Sequence, residues 1–263
     1  MSRHVSNMVS VLAVFAGAVA VWYAIIWLGK VEPFMLPPPT DVLDATVKKH
    51  ASLLMALRTT ATTAVLGFLS SLVVGVAVAI VFGEFGWVRK MFFPYTVVLQ
   101  SVPIVATAPL IIMWIGTGTL SMVVVTFIMC VSPIIANTTQ GLISVERNLV
   151  DLFLMNNASR AQVLWKLRIP HALPSMFVGA RISAGISSMG AIVGELFTGA
   201  NRIGEGGLGY TINYANTQLQ TGFMFALVVT SIALGLGLVF VVTFFEWLLL
   251  HNWHESARNK DRE

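Results

Sequence analysis

Long runs of hydrophobic residues without a charged side chain occupy most of the sequence. They extend over residues 5–29, 59–83, 91–145 and 206–245, and a shorter run lies between Arg181 and Glu195. A helix needs about 20 apolar residues to cross the hydrocarbon core of a bilayer. The 55-residue run from 91 to 145 is too long for one crossing and divides at residues 116–119. The pattern predicts six transmembrane helices, at about residues 8–28, 59–82, 92–115, 120–142, 176–197 and 223–250.

Composition favours a membrane protein. Of the 263 residues, 56% are hydrophobic and 11% are charged, against roughly 25% charged residues in soluble domains. The formal net charge is +4, but no dense block of Lys and Arg indicates nucleic-acid binding. Cys130 is the only cysteine, which excludes a disulfide within the chain. We expect one all-α domain over residues 1–263, with the first apolar stretch retained as a span because it is too long for a signal peptide.

The distribution of Lys and Arg predicts the orientation of the spans. Loops on the cytoplasmic side of a membrane protein carry an excess of these two residues. With the N-terminus inside, ten of them lie on the cytoplasmic side and five lie outside, when Arg181 within a span is left uncounted. We therefore expect both termini to be cytoplasmic.

Two features of the spans predict how they pack. Small residues recur at every fourth position in the second and the fifth span, so that each forms one smooth helix face that lets a neighbouring backbone approach closely. These residues are Gly67, Ser71, Gly75, Ala79 and Gly83, and then Gly179, Ser183, Ser187 and Ala191. The third span contains Pro94, Pro103 and Pro109. We expect it to be kinked or locally unwound, facing protein or a water-filled path where the freed carbonyls are tolerated.

The segment between the fourth and fifth spans, residues 144–170, is the most informative part of the sequence, and we name it the coupling segment. Its residues predict two short helices around a turn at Asn156-Asn157, since Asn tolerates a positive φ. Ser159 and Gln162 have the spacing of a capping box at the start of the second helix. Pro170 is expected to end that helix. Leu152, Phe153 and Met155 are expected to expose apolar surface on the first helix.

The coupling segment resembles the cytoplasmic signature of ABC importer permeases, which begins Glu-Ala-Ala, has Gly six residues after the Glu and ends Leu-Pro. Asp151 stands at the Glu, Asn157 at the Gly and Ile169-Pro170 at the Leu-Pro, while Leu152 and Phe153 depart from the two Ala. Residues 36–42, 190–195 and 206–210 are also similar to permeases of the sulfonate, nitrate, taurine and thiamine-precursor group. The resemblance covers nearly the whole chain.

The resemblance implies a permease of the type I importer fold in a bacterial inner membrane, working as a pair of copies. Two cytoplasmic ATPases would dock inside, and a solute-binding protein would deliver the solute outside. The residues expected to couple to the ATPase are Asp151, Leu152, Phe153, Met155, Asn157, Ala158, Ser159, Leu167, Ile169 and Pro170. The pattern looks most like permeases for pyrimidine, thiamine-precursor or riboflavin-type heterocycles, with sulfonate, taurine or nitrate as the alternative. The alternative without a protein partner is that the segment is an amphipathic loop on the bilayer surface.

The sequence carries no motif of an enzyme. A phosphate-binding loop of the Gly-x-x-x-x-Gly-Lys-Ser/Thr type is absent, as are a His-Glu-x-x-His motif and a recognisable Ser-His-Asp set. We expect no cofactor or metal and place ATP hydrolysis in a separate subunit. A self-sufficient secondary transporter or a channel is the alternative of a different class, but it would need coupling groups at the bilayer midplane, where the spans offer almost no acidic residue.

Glu195 is the charged residue most open to a functional interpretation. It continues the small-residue face of the fifth span near the outer boundary, so that with Ser183 and Ser187 it is expected to line the translocation path or an outer gate. The alternative is a boundary carboxylate wetted from outside. Arg58, Arg181 and Glu246 lie near span ends and are expected to extend toward water.

Overall fold

The computed structural model describes residues 2–198 and 206–251, with side chains described from residue 13 onward except at residue 15, and these residues form helices without any strand. Eleven α-helices follow one another: α1 Ser2–Gly29, α2 Pro39–Lys48, α3 His50–Glu84, α4 Gly86–Ser101, α5 Ile104–Ile115, α6 Thr119–Ile143, α7 Arg147–Met155, α8 Arg160–Val163, α9 Ile169–Thr198, α10 Leu208–Thr217 and α11 Thr221–Leu250. A π-helical turn, Leu164–Arg168, joins α8 to α9. The all-α fold class is confirmed.

Helices α3 and α6 pack side by side in the same direction. A Cβ atom added at Gly75 would lie 2.7 Å from Ile134 Cγ2, and one added at Gly83 would lie 3.2 Å from Leu142 Cβ. Contact partners advance by eight residues on both helices, which is the signature of parallel packing. All five small residues of the predicted α3 face are buried, so the prediction of close packing through that face is confirmed.

Helices α6 and α9 pack in opposite directions. A Cβ atom at Gly179 would lie 2.9 Å from the Pro133 carbonyl oxygen, whereas one at Gly194, further along α9, would lie 3.0 Å from Met122 Cα, further back along α6. Hydrogen bonds between side chains and backbone tie the two helices together at this crossing. Because α9 runs antiparallel to α6, the coupling segment that joins them begins and ends at the same end of the bundle.

The third predicted span is not one helix but two. Helices α4 and α5 meet at an angle of 101°. Val102 between them is extended, with φ −68° and ψ 121°, because the ring of Pro103 disfavours the helical region for the residue before it. The expected break in the proline-containing span is therefore confirmed, and it lies at residues 102–103 between α4 and α5.

Within residues 2–198 and 206–251, four helical stretches are long and apolar enough to cross a membrane: His50–Glu84, Thr119–Ile143, Arg160–Thr198 and Thr221–Leu250. The bent pair α4–α5 gives a fifth crossing if it counts as one span. The span predicted at 8–28 falls within α1, of which Ala16–Gly29 forms a shorter apolar helix. The count of six spans stays a prediction.

Two expectations are corrected by the structure. Pro170 does not end a helix, because it directly follows the π-helical turn, where the hydrogen-bond pattern is already shifted and the Ile169 N–H donates to the Leu164 carbonyl oxygen. The helix that contains the fifth span extends from Arg160 to Thr198 through this turn, and the bounds of about 176–197 for the part inside the membrane stay a prediction. Arg181 and Glu246 do not extend separately toward water, since their side chains form an ion pair between α9 and α11.

Candidate functional site

The coupling segment has the local structure that its residues predict. Helix α7 ends at Met155 with Asn156 as its C-cap, and Asn157 has a φ of 56°, in the left-handed region that Asn tolerates. The Gln162 N–H donates to Ser159 Oγ at 3.3 Å, and the Ser159 N–H donates to Gln162 Oε1 at 2.8 Å. Both hydrogen bonds of the capping box are present, so the turn and the start of α8 are fixed by side chains of the segment itself.

A small cleft of about 320 Å³ lies between α7 and the start of α8. Its lining residues are Leu152, Phe153, Asn156, Ala158, Gln162 and Lys166. Met155 is 82% exposed and Leu152 is 55% exposed, while Phe153 and Ala158 are half-buried. Apolar side chains thus surround a concave surface that no other described part of the chain covers.

The predicted coupling residues divide into two groups. Those from Asp151 to Ser159 lie on the exposed side of the segment, except for the two half-buried residues of the cleft. Leu167, Ile169 and Pro170 are half-buried at the base of α9, and Ile169 packs against a core cluster that includes Leu142. The first group forms a surface, and the second attaches that surface to the bundle.

Glu195 lies in the interior of the chain at the other end of α9. Its side chain is fully buried, and Oε2 accepts hydrogen bonds from Thr60 Oγ1 at 3.0 Å and from the Gly209 N–H at 2.8 Å. Thr60 Oγ1 also accepts from the Leu208 N–H at 2.7 Å. The carboxylate is therefore held by α3 and α10 and is not wetted at a boundary in this structure.

The other two predicted path residues also lie inside the bundle. Ser183 Oγ donates to the Cys130 carbonyl oxygen at 2.7 Å, and Ser187 Oγ donates to the Ala184 carbonyl oxygen at 2.8 Å. Both serines are fully buried. The structure does not bring them together with Glu195 around a cavity, and a role of the three in transport stays a prediction.

A cleft that residue patterns did not single out opens beside the break between α4 and α5. It has a volume of about 520 Å³ and is lined by α4, α5, α6 and α9 without any charged side chain. The polar groups at its wall are the amides of Gln100 and Asn137, next to the thioethers of Met129 and Met189. The proline content of the third span was the available signal, since it predicted a break facing protein or a water-filled path.

Comparisons with known proteins agree on one family. Residues 51–249 match the family described as "Binding-protein-dependent transport system inner membrane component". The formylaminopyrimidine transport permease protein ThiX of Halalkalibacterium halodurans is 32% identical over 74% of this chain and 76% of its own length. The riboflavin transport system permease protein RibX of Chloroflexus aurantiacus is 32% identical, covering 89% of this chain and 86% of that protein.

A third relative is named for a different solute. The taurine transport system permease protein TauC of Escherichia coli is 28% identical over 86% of this chain and 82% of its own length. The family match covers the bundle from α3 to α11 and includes the coupling segment. The chain belongs to the inner-membrane components of binding-protein-dependent transport systems, and it is an ABC transporter permease.

Proposed function

We propose that the chain is the membrane-spanning subunit of an ATP-driven importer, and that its coupling segment docks onto a cytoplasmic ATPase. Two copies of the chain would enclose the path, two ATPases would hydrolyse ATP, and a solute-binding protein would deliver solute outside. The observation that carries the proposal is the apolar cleft between α7 and α8, with Phe153 in its wall. Both termini would lie in the cytoplasm.

The surface of the coupling segment favours a protein partner. Removing apolar surface from water is favourable, so exposed side chains such as Leu152 and Met155 favour burial against another protein. The cleft is concave and its rim is fixed by the capping box at Ser159. A preformed shape lowers the entropic cost of association. A loop that lay on the bilayer would instead present a continuous apolar face.

The position of the segment supports transmission of a movement. The helical stretch Arg160–Thr198, which we call the rod, consists of α8, the π-helical turn and the 30-residue helix α9, and α9 alone is about 45 Å long at 1.5 Å per residue. If a docked ATPase displaced α8, α9 would move with it, because both are parts of one continuous helical stretch. Arg168 and Leu164 hold the start of the rod against the ends of α3 and α6.

The docking proposal is tested by one substitution with a matched control. Phe153→Asp places a charge in the cleft wall, whereas Leu149→Asp places the same charge on the exposed surface of α7 outside the cleft. We expect Phe153→Asp to abolish co-purification of the ATPase and ATP-driven uptake, and Leu149→Asp to retain both. Equal ATPase binding by the two variants would contradict docking at the cleft. Uptake by the chain alone in liposomes, without any ATPase, would contradict the ATP-driven mechanism.

We further propose a small neutral heterocycle, of the pyrimidine, thiamine-precursor or riboflavin type, as the imported solute. The cleft beside the α4–α5 break supports this, because its wall offers amides and apolar groups but no basic side chain for a sulfonate or nitrate. Two relatives are named for a formylaminopyrimidine and for riboflavin. Uptake by the assembled complex with its own binding protein, measured with labelled formylaminopyrimidine, riboflavin and taurine in parallel, tests the assignment. Uptake of taurine alone would favour the alternative.

A further inference from the structure

The N-terminus of α10 is capped by side chains from two other helices. Gly207 occupies the N-cap position and has no side chain to accept a hydrogen bond. The first N–H of the helix, from Leu208, donates to Thr60 on α3, and the second, from Gly209, donates to Glu195 on α9. Thr60 in turn donates to the Glu195 carboxylate, so that α3, α9 and α10 meet in one hydrogen-bonded cluster.

The chemistry of this cluster suits a helix start. The first four N–H groups of a helix lack partners within it, and the partial positive charge at that end favours a carboxylate. The backbone approaches so closely that a side chain at Gly207 would meet the Glu195 carboxylate, and one at Gly209 would meet the Ile192 carbonyl oxygen. Burying a carboxylate is costly, and the two hydrogen bonds to Oε2 from other elements offset part of that cost, whereas Oε1 is buried without a partner among the described residues.

The cluster lies at the opposite end of the rod from the coupling segment. Glu195 is 36 residues after the capping serine Ser159, near the other end of α9. Helix α10 also packs through Leu208 and Ala215 against an apolar cluster that contains Phe223 of α11. Its far face, with Asn213 and Tyr214, is exposed. A displacement at the coupling segment would reach α10 through the cap.

We infer that Glu195 and Thr60 are positioning residues that fasten α10 to α3 and α9, so that α10 follows the rod during the transport cycle. The inference rests on the proposed function, because the movement of the rod comes from the docked ATPase. Without the cap, α10 would lose its fixed position, and ATP hydrolysis would continue with less solute transported.

The experiment reads the position of α10 directly. A spin label is placed at Asn213→Cys in a Cys130→Ser background, which leaves one cysteine in the chain. Its mobility is measured in the isolated permease in nanodiscs and again in the ATPase complex with and without nucleotide. Thr60→Val and Glu195→Ala remove the cap. Thr62→Val is the matched control, because the Thr62 hydroxyl is exposed and donates only to Arg58 of its own helix.

We expect both cap variants to mobilise the label and to lower transport about tenfold, since loss of a side-chain cap shifts a helix equilibrium by about that factor. ATPase activity should stay close to that of the parent, because the docking surface is untouched. Thr62→Val should behave as the parent. In Glu195→Gln the label should stay as ordered as in the parent, because the amide oxygen can still accept from the Gly209 N–H. If Glu195→Ala acted only by disrupting packing in general, no such difference between the two variants would be expected.

Two results would overturn the inference. An immobile label with an unchanged nucleotide response in folded Thr60→Val and Glu195→Ala would show that the cap does not position α10. A mobile label with full transport would show that the position of α10 does not matter to the cycle. Failure of the parent permease to bind any ATPase would contradict the proposed function instead, while label mobility in the isolated permease would still decide whether the cap holds α10.

Discussion

Arg168 reaches from the coupling segment to Glu84 at the end of α3. Its Nη1 atom lies 3.3 Å from Glu84 Oε1 and donates to the carbonyl oxygen of Gly83 at 2.9 Å. The last carbonyl groups of a helix lack partners within it, and a cation there interacts favourably with the helix dipole. One guanidinium therefore caps α3, pairs with its last carboxylate and holds the start of α9 in place.

The first prediction concerns this contact. Arg168→Gln removes the charge that Glu84 and the Gly83 carbonyl share, and both side chains of the ion pair are more than 70% buried. We expect the free energy of unfolding to fall by about 1.5–3 kcal/mol, the usual range for a hydrogen bond to a charged group. Denaturant unfolding in detergent measures it. Arg160→Gln, at an exposed position of the same segment, should leave the midpoint unchanged, and an equal loss in both variants would contradict the prediction.

The parallel packing of α3 and α6 gives the second prediction. Gly75→Ala would place a Cβ 2.7 Å from Ile134 Cγ2, closer than two carbons can pack, so one helix must shift. Overpacking of this kind costs about 1–3 kcal/mol. Gly237→Ala on α11 is the control, because nothing lies within 4 Å of its added Cβ. That variant should be neutral or stabilised by up to about 1 kcal/mol through the lower chain entropy of alanine. Thermal unfolding in detergent measures both variants. A Gly75→Ala variant more stable than Gly237→Ala would contradict the prediction.

The ion pair between α9 and α11 gives the third prediction. Glu246→Gln leaves the Arg181 guanidinium without its partner in a site where 41% of the Arg side chain is exposed. We expect a loss of about 1–2 kcal/mol, less than for a fully buried pair because water screens the charge. The charge-reversed double variant Arg181→Glu/Glu246→Arg should recover most of the loss. A double variant as unstable as the sum of its two single variants would show that the pairing itself contributes nothing.

The fourth prediction concerns orientation. Helix α11 runs opposite to α9, since Gly185 contacts Val239 whereas Arg181, earlier on α9, pairs with Glu246, later on α11. The end of α11 therefore lies on the same side of the bundle as the coupling segment. With Lys and Arg ten to five in favour of that side, a reporter that is active only outside the cytoplasm should stay inactive when fused after residue 263. Strong activity of that fusion would reverse the orientation.

The sequence by itself determined what depends on neighbours along the chain. The turn at Asn157 and the capping box at Ser159 form from residues within a few positions of one another, so spacing alone was sufficient to predict them. The broken span followed from Pro103, which restricts the residue before it. The small-residue face of α3 predicted burial because small side chains permit close backbone approach wherever the partner helix lies.

Only the tertiary structure decided which partner each of these features meets. That α6 lies against the glycines of α3, and that Arg181 pairs with Glu246, depends on residues dozens of positions apart that no local pattern links. Pro170 carries a helix-ending signal, which the π-helical turn before it overrides. Glu195 carries the signal of a wetted or path-lining carboxylate, but its donors lie 135 residues before it and 14 after it. The role of a buried charge depends on its hydrogen-bond partners, and those partners come together only when the helices pack.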